Sequence, residues 1–351
     1  MRKLGFDIRY IKKLKEKRIP LSVMFELTHR CNLNCMHCYI RVEGEEYKKR
    51  ELGLDQICDI LGQMAEAGVI YLGLTGGEPL LRPDFKDIYL FAKRKNFAVS
   101  VVTNATLITE DMIDFFEEYP PIMLEISVYG VTPQTYEGTT CTKGSFEHFQ
   151  KTLEMLKRTK IRYLPKFVIM KTNYEESIKN KDILKKNSRG CLPLVSRKDK
   201  DHVKNALIKR QRLSPQEVIE VFHSLGKDYR TFQRDNRYVD TCCGESLAFA
   251  ITPYGGLIMC GYRNEPNTDL NRIKFIDAWN SYKIEKTPLM KQEIACGDCE
   301  FKACCVWCPG IAYLETGSTE KKVPYLCQVM QALKEDVDRK IQTEKGVCIH
   351  G

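Results

Sequence analysis

The residues best suited to chemistry are Cys31, Cys35 and Cys38, spaced C-x3-C-x2-C within Thr28-His29-Arg30-Cys31-Asn32-Leu33-Asn34-Cys35-Met36-His37-Cys38-Tyr39. They follow directly on Leu21-Ser22-Val23-Met24-Phe25-Glu26-Leu27. That apolar run reads as a buried strand, so the thiols lie on the loop leaving its C-terminal end. Three thiolates converging on one short loop suit an iron–sulfur cluster, whose irons prefer soft sulfur ligands. A four-iron cluster needs one ligand more, so one iron is left open to a substrate or cofactor. The simpler alternative is a zinc knuckle or a redox dithiol, since a short C-x2-C occurs in both.

A second thiol array begins at Cys242-Cys243. Leu247-Ala248-Phe249-Ala250-Ile251, Thr252-Pro253-Tyr254-Gly255-Gly256 and Leu257-Ile258-Met259-Cys260 then read as a β-hairpin with a Pro/Gly turn. Cys296-Gly297-Asp298-Cys299, Cys304-Cys305-Val306-Trp307-Cys308 and Cys327 follow. So many cysteines cannot share one tetrahedral site, so at least two metal centres are implied. A pair of zinc ribbons is the plainer alternative.

The elements that must position these thiols alternate. Helical apolar spacing runs from Leu54 to a glycine stop at Gly68. Val69–Leu74 is a second buried strand, ending in Thr75-Gly76-Gly77-Glu78-Pro79. There the two glycines let backbone approach a ligand closely and Glu78 offers a carboxylate acceptor. Helices at 84–95, 110–118 and 145–158 then alternate with strands at 98–102, 122–128 and 161–170. Pro165 marks the last strand as an edge or bulge. Alternation of this kind implies right-handed parallel βαβ units, with functional groups at the C-terminal strand ends. Thr103-Asn104 and Ser127 fall at such ends, beside the cysteine loop. Residues 136–146 read as a loop carrying Cys141, either an idle loop cysteine or, were a radical formed beside it, a thiol able to donate a hydrogen atom. Ser214-Pro215-Gln216-Glu217 reads as the start of a helix, and 324–340 has helical spacing.

The bulk properties agree with a metalloprotein. The chain has 351 residues, 43% hydrophobic and 29% charged, enough for one large domain and a smaller one. No apolar stretch is long enough for a membrane span, and the basic N-terminus lacks a signal peptide's core. Sixteen cysteines clustered at metal-ligand spacings point to metal in a reducing, cytoplasmic setting rather than to disulfides. The net charge of +9 lies largely in solvated runs. Without an aromatic-interleaved basic patch, it gives no case for nucleic acid.

The triplet, with His37 in the aromatic slot before its last cysteine, resembles that of the radical S-adenosylmethionine (radical SAM) enzymes. Gly76-Gly77-Glu78-Pro79 resembles their motif for the amino group of S-adenosyl-L-methionine. The resemblance implies an α/β fold: a partial (β/α)6 TIM-like barrel over 21–190, after a basic lead-in at 1–20. Ser127 would occupy the family's ribose-contacting position, with Asn104 a weaker candidate; Tyr129 stands where many relatives have an aspartate. A bridge at 191–240 leads to residues 241–345, which resemble the SPASM extension. Cys243-x11-Gly255-x4-Cys260, Cys296-x2-Cys299 and Cys299-x5-Cys305 fit its pattern. The next step departs from it, so whether Cys304 or Cys305 ligates is open, with Cys305 preferred.

Three 4Fe-4S clusters are thereby implied. Cys31, Cys35 and Cys38 would hold the first. Cys243, Cys260 and Cys308 would hold the second, completed by Cys242 or by an open iron. Cys296, Cys299, Cys305 and Cys327 would hold the third. The implied chemistry is reductive cleavage of S-adenosylmethionine to a 5′-deoxyadenosyl radical, which abstracts hydrogen from a substrate carbon. A flavodoxin- or ferredoxin-type donor would supply the electron. The leading expectation is an oxidoreductase modifying a ribosomally made peptide by a crosslink, thioether or epimerisation. Only about 20 residues precede the first strand, so a separate leader-peptide-binding protein or a basic groove would have to present that peptide. The alternatives are a small-molecule dehydrogenase or epimerase acting on a sugar alcohol or a tetrapyrrole side chain, and a non-catalytic electron-transfer or zinc protein.

Overall fold

The computed structural model describes residues 13–38, 40, 45–180, 202–226, 247–260, 262–282, 296–302 and 304–347. Cys191, Cys242, Cys243 and Cys348 lie outside the described residues. Five strand–helix units come first. They run β1 (Ser22–Thr28), α1 (Leu54–Glu66), β2 (Tyr71–Gly76), α2 (Phe85–Arg94), β3 (Ala98–Thr103), α3 (Glu110–Glu118) and β4 (Met123–Val128). Then come α4 (Pro133–Thr140), α5 (Ser145–Lys157) and β5 (Tyr163–Phe167). All neighbouring pairs among β1 to β5 are parallel. Among the described residues β5 is the outer strand on its side, where Pro165 removes a donor that no further described strand requires.

Alternation along the strands divides two faces. Phe25, Leu72, Val101, Leu124 and Ile126 are fully buried, packed in one core with Ile57, Leu61, Ile88, Tyr89 and Phe116 of the helices. The opposite face is open. Met24 is 40% exposed there, and a Cβ at Gly73 would press on Met24 and Ser100, which places all three on the concave side. Glu125, Ser127 and Lys166 follow in the same alternation, with Glu125 and Lys166 paired across β4 and β5.

The expected hairpin forms from β6 (Ala248–Ile251) and β7 (Gly256–Cys260), extended by β8 (Arg263–Asp269). β6 pairs parallel with the free edge of β1, so the hairpin continues the sheet in the order β5-β4-β3-β2-β1-β6-β7-β8.

After β5 come α6 (Tyr174–Lys179), α7 (His202–Arg210) and α8 (Pro215–Ser224). α8 starts on a capping box in which Ser214 and Glu217 exchange bonds. Past the sheet lie α9 (Phe275–Ser281), α10 (Pro309–Thr316) and α11 (Pro324–Val347). Arg212 joins these parts. It pairs with Glu315 at 2.5 Å, the side chains 10% and 6% exposed, and lies over the Tyr325 ring. Among the described residues no helix is long and apolar enough to cross a membrane.

Candidate cofactor and cluster site

The loops after β1 and β2 are joined backbone to backbone. Gly77 N donates to Thr28 O at 2.7 Å, and Glu78 N donates to Arg30 O at 2.9 Å. A Cβ at Gly76 or Gly77 would land on the carbonyl oxygens of Thr28 or Arg30, and Gly76 has φ +140°. The close approach these glycines permit is therefore to the cysteine loop. A third element closes on that loop: Asn34 N and Met36 N donate to Thr140 O and Thr139 O, at 3.0 and 3.1 Å.

Held this way, the thiols lie near enough that Cys38 acts electrostatically on Cys31, and both act on Cys35. Burial first, then like charge, pushes the Cys31 thiol up to about 12 and Cys35 well above its usual value. Buried thiols of this kind stay neutral until a cation offsets the penalty, as a metal centre does. His37 Nδ1 is buried without a partner, and burial holds its ring down to about 4. Three thiols on one loop, an unpartnered buried nitrogen and a loop closed by glycine fit a 4Fe-4S cluster with S-adenosylmethionine.

Glu78 reaches towards β3. Its carboxylate is fully buried and accepts from Thr103 Oγ1 at 2.8 Å, Asn104 N at 2.8 Å and Leu80 N at 3.1 Å. Three short-range donors next door outcompete solvent for it, so it ties β3 to the glycine loop and caps the turn that begins at Pro79. Burial raises the carboxyl to about 7. Asn104 likewise faces inward. Its Nδ2 donates to Asn32 Oδ1 at 3.0 Å and approaches Cys31 Sγ at 3.8 Å, while its Oδ1 accepts from Thr106 N at 2.9 Å. It braces the cysteine loop from β3. Ser127 stands on the open face, its hydroxyl against that of Tyr129.

Cys141 is not on a loop but is the left-handed cap of α4, with φ 51°. It is exposed and near enough to Cys35 to act on it electrostatically.

A buried clamp had no counterpart in the motifs. Glu51 accepts from Arg30 Nε and Nη2, both at 3.2 Å, lies 3.8 Å from Arg82 Nη1 and receives the Thr28 hydroxyl. Arg82 also donates to Leu27 O and Leu52 O and pairs with Asp84. The start of the cysteine loop and the end of the glycine loop thus share one carboxylate.

In the C-terminal region a cavity of about 580 Å³ is lined by Cys296, Cys299, Cys305 and Cys327 together with Phe301, Trp307 and Met330. Cys305, unlike its neighbour Cys304, is among the lining residues. Burial, then the charges of Cys296, Cys327 and Cys299, pushes Cys305 up to about 11. Among the described residues no three His, Cys, Asp or Glu side chains close on a point as for a single ion; these four surround a volume instead. Elsewhere Cys308 caps α10 by accepting from Ile311 N at 3.4 Å. A Cβ at Gly310 would stand 3.1 Å from Cys260 Sγ, so Cys260 and the start of α10 are neighbours.

Comparison with known proteins agrees with this geometry. Residues 25–180 match the Radical SAM superfamily. The AdoMet-dependent heme synthase of Methanosarcina barkeri is 23% identical over 335 residues, spanning 87% of this chain and 96% of that protein. The antilisterial bacteriocin subtilosin biosynthesis protein AlbA of Bacillus subtilis is 32% identical over 139 residues, 39% of this chain and 31% of that protein. The solved structure of native anSMEcpe with bound AdoMet and Cp18Cys peptide shares the fold. Its TM-score is 0.64 at 17% identity, covering 93% of this chain and 99% of that one.

Proposed function

The chain carries a radical SAM domain over residues 25–180, and from that premise we propose that it is an oxidoreductase abstracting hydrogen from a carbon of a ribosomally made peptide. The observation that carries the reading is the joining of the Cys31/Cys35/Cys38 loop to the Gly76-Gly77 loop at one end of a parallel sheet. Cys31, Cys35 and Cys38 would hold a 4Fe-4S cluster with one corner free, and the glycine loop, His37 and Ser127 would line the seat of S-adenosylmethionine. When bound, the pair supplies hydrogen-atom abstraction from an unactivated carbon.

The chain's own residues supply position and shelter. Glu78, Asn104 and Glu51 fix the three loops relative to one another, which keeps reacting groups in one geometry. The open face bearing Met24, Ser100, Glu125 and Lys166 is the floor on which substrate would lie. Cys141, exposed beside Cys35, stands where a thiol could return a hydrogen atom to a substrate radical. Cys296, Cys299, Cys305 and Cys327 would hold one auxiliary cluster. Cys260 and Cys308, with Cys243, would hold another, and both would pass electrons to or from the substrate.

Peptide substrates are supported by the likeness to AlbA and to a structure solved with a peptide bound. A second reading, action on a tetrapyrrole side chain, is favoured by the near full-length match to a heme synthase. Anaerobic reduction with S-adenosylmethionine should release 5′-deoxyadenosine, and no release would remove the enzymatic reading. Co-expression with a short cysteine-containing peptide encoded beside the gene should change that peptide's mass. An unchanged peptide alongside conversion of a tetrapyrrole side chain would decide for the second reading.

A further inference from the structure

Arg212 lies in the link between α7 and α8, and the main chain beside it is tied to the barrel. Gln211 O accepts from Lys171 N at 2.9 Å, and Gln211 Oε1 accepts from Thr172 N at 3.2 Å and Thr172 Oγ1 at 2.5 Å. Thr172 follows β5, and its hydroxyl also stands 3.6 Å from Met36 Sδ in the cysteine loop. The guanidinium reaches the C-terminal helices. Nη2 donates to Glu315 Oε1 at 2.5 Å, both side chains nearly buried, and the group lies 5.0 Å from the centre of the Tyr325 ring. Tyr325 Oη donates in turn at 3.0 Å to the carbonyl of Leu213, the residue after Arg212.

Glu315 and Tyr325 stand on different helices. α10 begins at Pro309 with Cys308 as its cap and carries Glu315 near its end. α11 begins at Pro324, with Tyr325 in its first turn and Cys327 two residues further on. The two helices also share a small core of Trp307, Ile311, Ala312, Val323 and Leu326. Burial of that core draws the helices together without direction. A guanidinium adds direction: its planar fork pairs with a carboxylate while its face stacks on a ring, which an ammonium does not do at once.

We propose that Arg212 is a positioning residue that holds α10 and α11 in one arrangement against the barrel, and so fixes the spacing between the centre served by Cys308 and the centre served by Cys327. The inference rests on the reading that these cysteines belong to two auxiliary clusters. A side chain outside the ligand set thereby governs the path that electrons would take between them.

Two measurements on the full chain test this. Hydrogen exchange followed by mass spectrometry needs no metal: Arg212→Gln should speed exchange across 311–316 about tenfold, the worth of one hydrogen bond to a charged group, and leave β1 to β4 unchanged. After anaerobic reconstitution, the same variant should keep its iron but alter the magnetic interaction between the reduced auxiliary clusters, read by electron paramagnetic resonance. Arg212→Lys keeps a charge opposite Glu315 and should show both changes in smaller degree; it carries the comparison should Arg212→Gln lose auxiliary iron. Leu156→Ala opens a cavity beneath α5, where Leu156 is 1% exposed, and should leave the interaction as it is. An interaction unchanged in the iron-bearing variants would overturn the proposal even with faster exchange, as would an equal change in Leu156→Ala. Loss of auxiliary iron from both Arg212 variants with exchange in 311–316 unchanged would overturn it too. Wild-type protein with iron for fewer than two auxiliary clusters would instead overturn the cluster reading beneath it.

Discussion

The amide of Gly77 donates to the carbonyl of Thr28 at 2.7 Å, and no side chain fits between the two loops so joined. The contact converts two separate motifs, one at the end of β1 and one at the end of β2, into a single surface. Parallel register brings this about: Phe25 lies opposite Leu74 and Thr28 opposite Gly76, with an irregularity between Glu26 and Thr28 that lets the loops meet.

Gly77→Ala should therefore damage the site without touching a ligand. The new methyl would fall among the carbonyl oxygens of Arg30 and His29, and relief requires the loops to part. We expect a loss of about 1–3 kcal/mol in stability, as for overpacking elsewhere, and reduced iron retention at the triplet. Chemical unfolding and iron analysis check this; a variant with wild-type iron and stability would show that the loops part freely.

Glu51 offers a second test. Arg30 and Arg82 are both buried around it, their side chains 6% and 7% exposed and its own 4%. Removing one partner of a buried ion pair leaves charge without compensation, at about 3–5 kcal/mol. Glu51→Ala should unfold at correspondingly lower denaturant and lose iron, whereas Lys157→Ala, which breaks an exposed pair with Glu154, should change little. Equal effects from the two would sink the clamp.

The clamp also marks where sequence stops being informative. Strand and helix alternation from Ser22 to Lys157 could be read from apolar spacing, because each unit's pattern is local. Glu51 sits in a charged tract, and nothing in its own spacing announces partners 21 and 31 positions away. α4 is missed for another reason. Pro133-Gln134-Thr135-Tyr136-Glu137-Gly138-Thr139-Thr140 is rich in weak helix formers, so tertiary packing of Tyr136 overrides a poor propensity. Its start was nevertheless signalled by Thr132 as cap and Pro133 at the first position. The hairpin is local and readable, but its docking on β1 is a long-range choice of edge. Adjacent thiols such as Cys304 and Cys305 differ only in which way the chain turns.

That last distinction is open to iron analysis. Cys305→Ala should lose the iron of one cluster, since Cys305 lines the cavity with Cys296, Cys299 and Cys327. Cys304→Ala should retain the full complement, roughly eleven to twelve irons per chain if three clusters form. The reverse pattern would exchange their assignments, and zinc in place of iron would move the array to ribbons.

Glu78 gives the chain a pH dependence of definite sign. Burial lifts its carboxyl from an ordinary 4.5 to about 7 in the folded chain. Between those values the native state holds a proton that the unfolded state has released. Its contribution to stability is thus fully present below about pH 4.5 and is lost as pH rises towards 7. Glu78→Gln keeps the shape and removes the titration, so the difference in stability between wild type and variant should drift against wild type from pH 5 to 7, then level. Urea unfolding of both chains across that interval measures it. A constant difference would mean that the carboxylate stays ionised throughout, held by the donors of Thr103, Asn104 and Leu80 more strongly than burial opposes it.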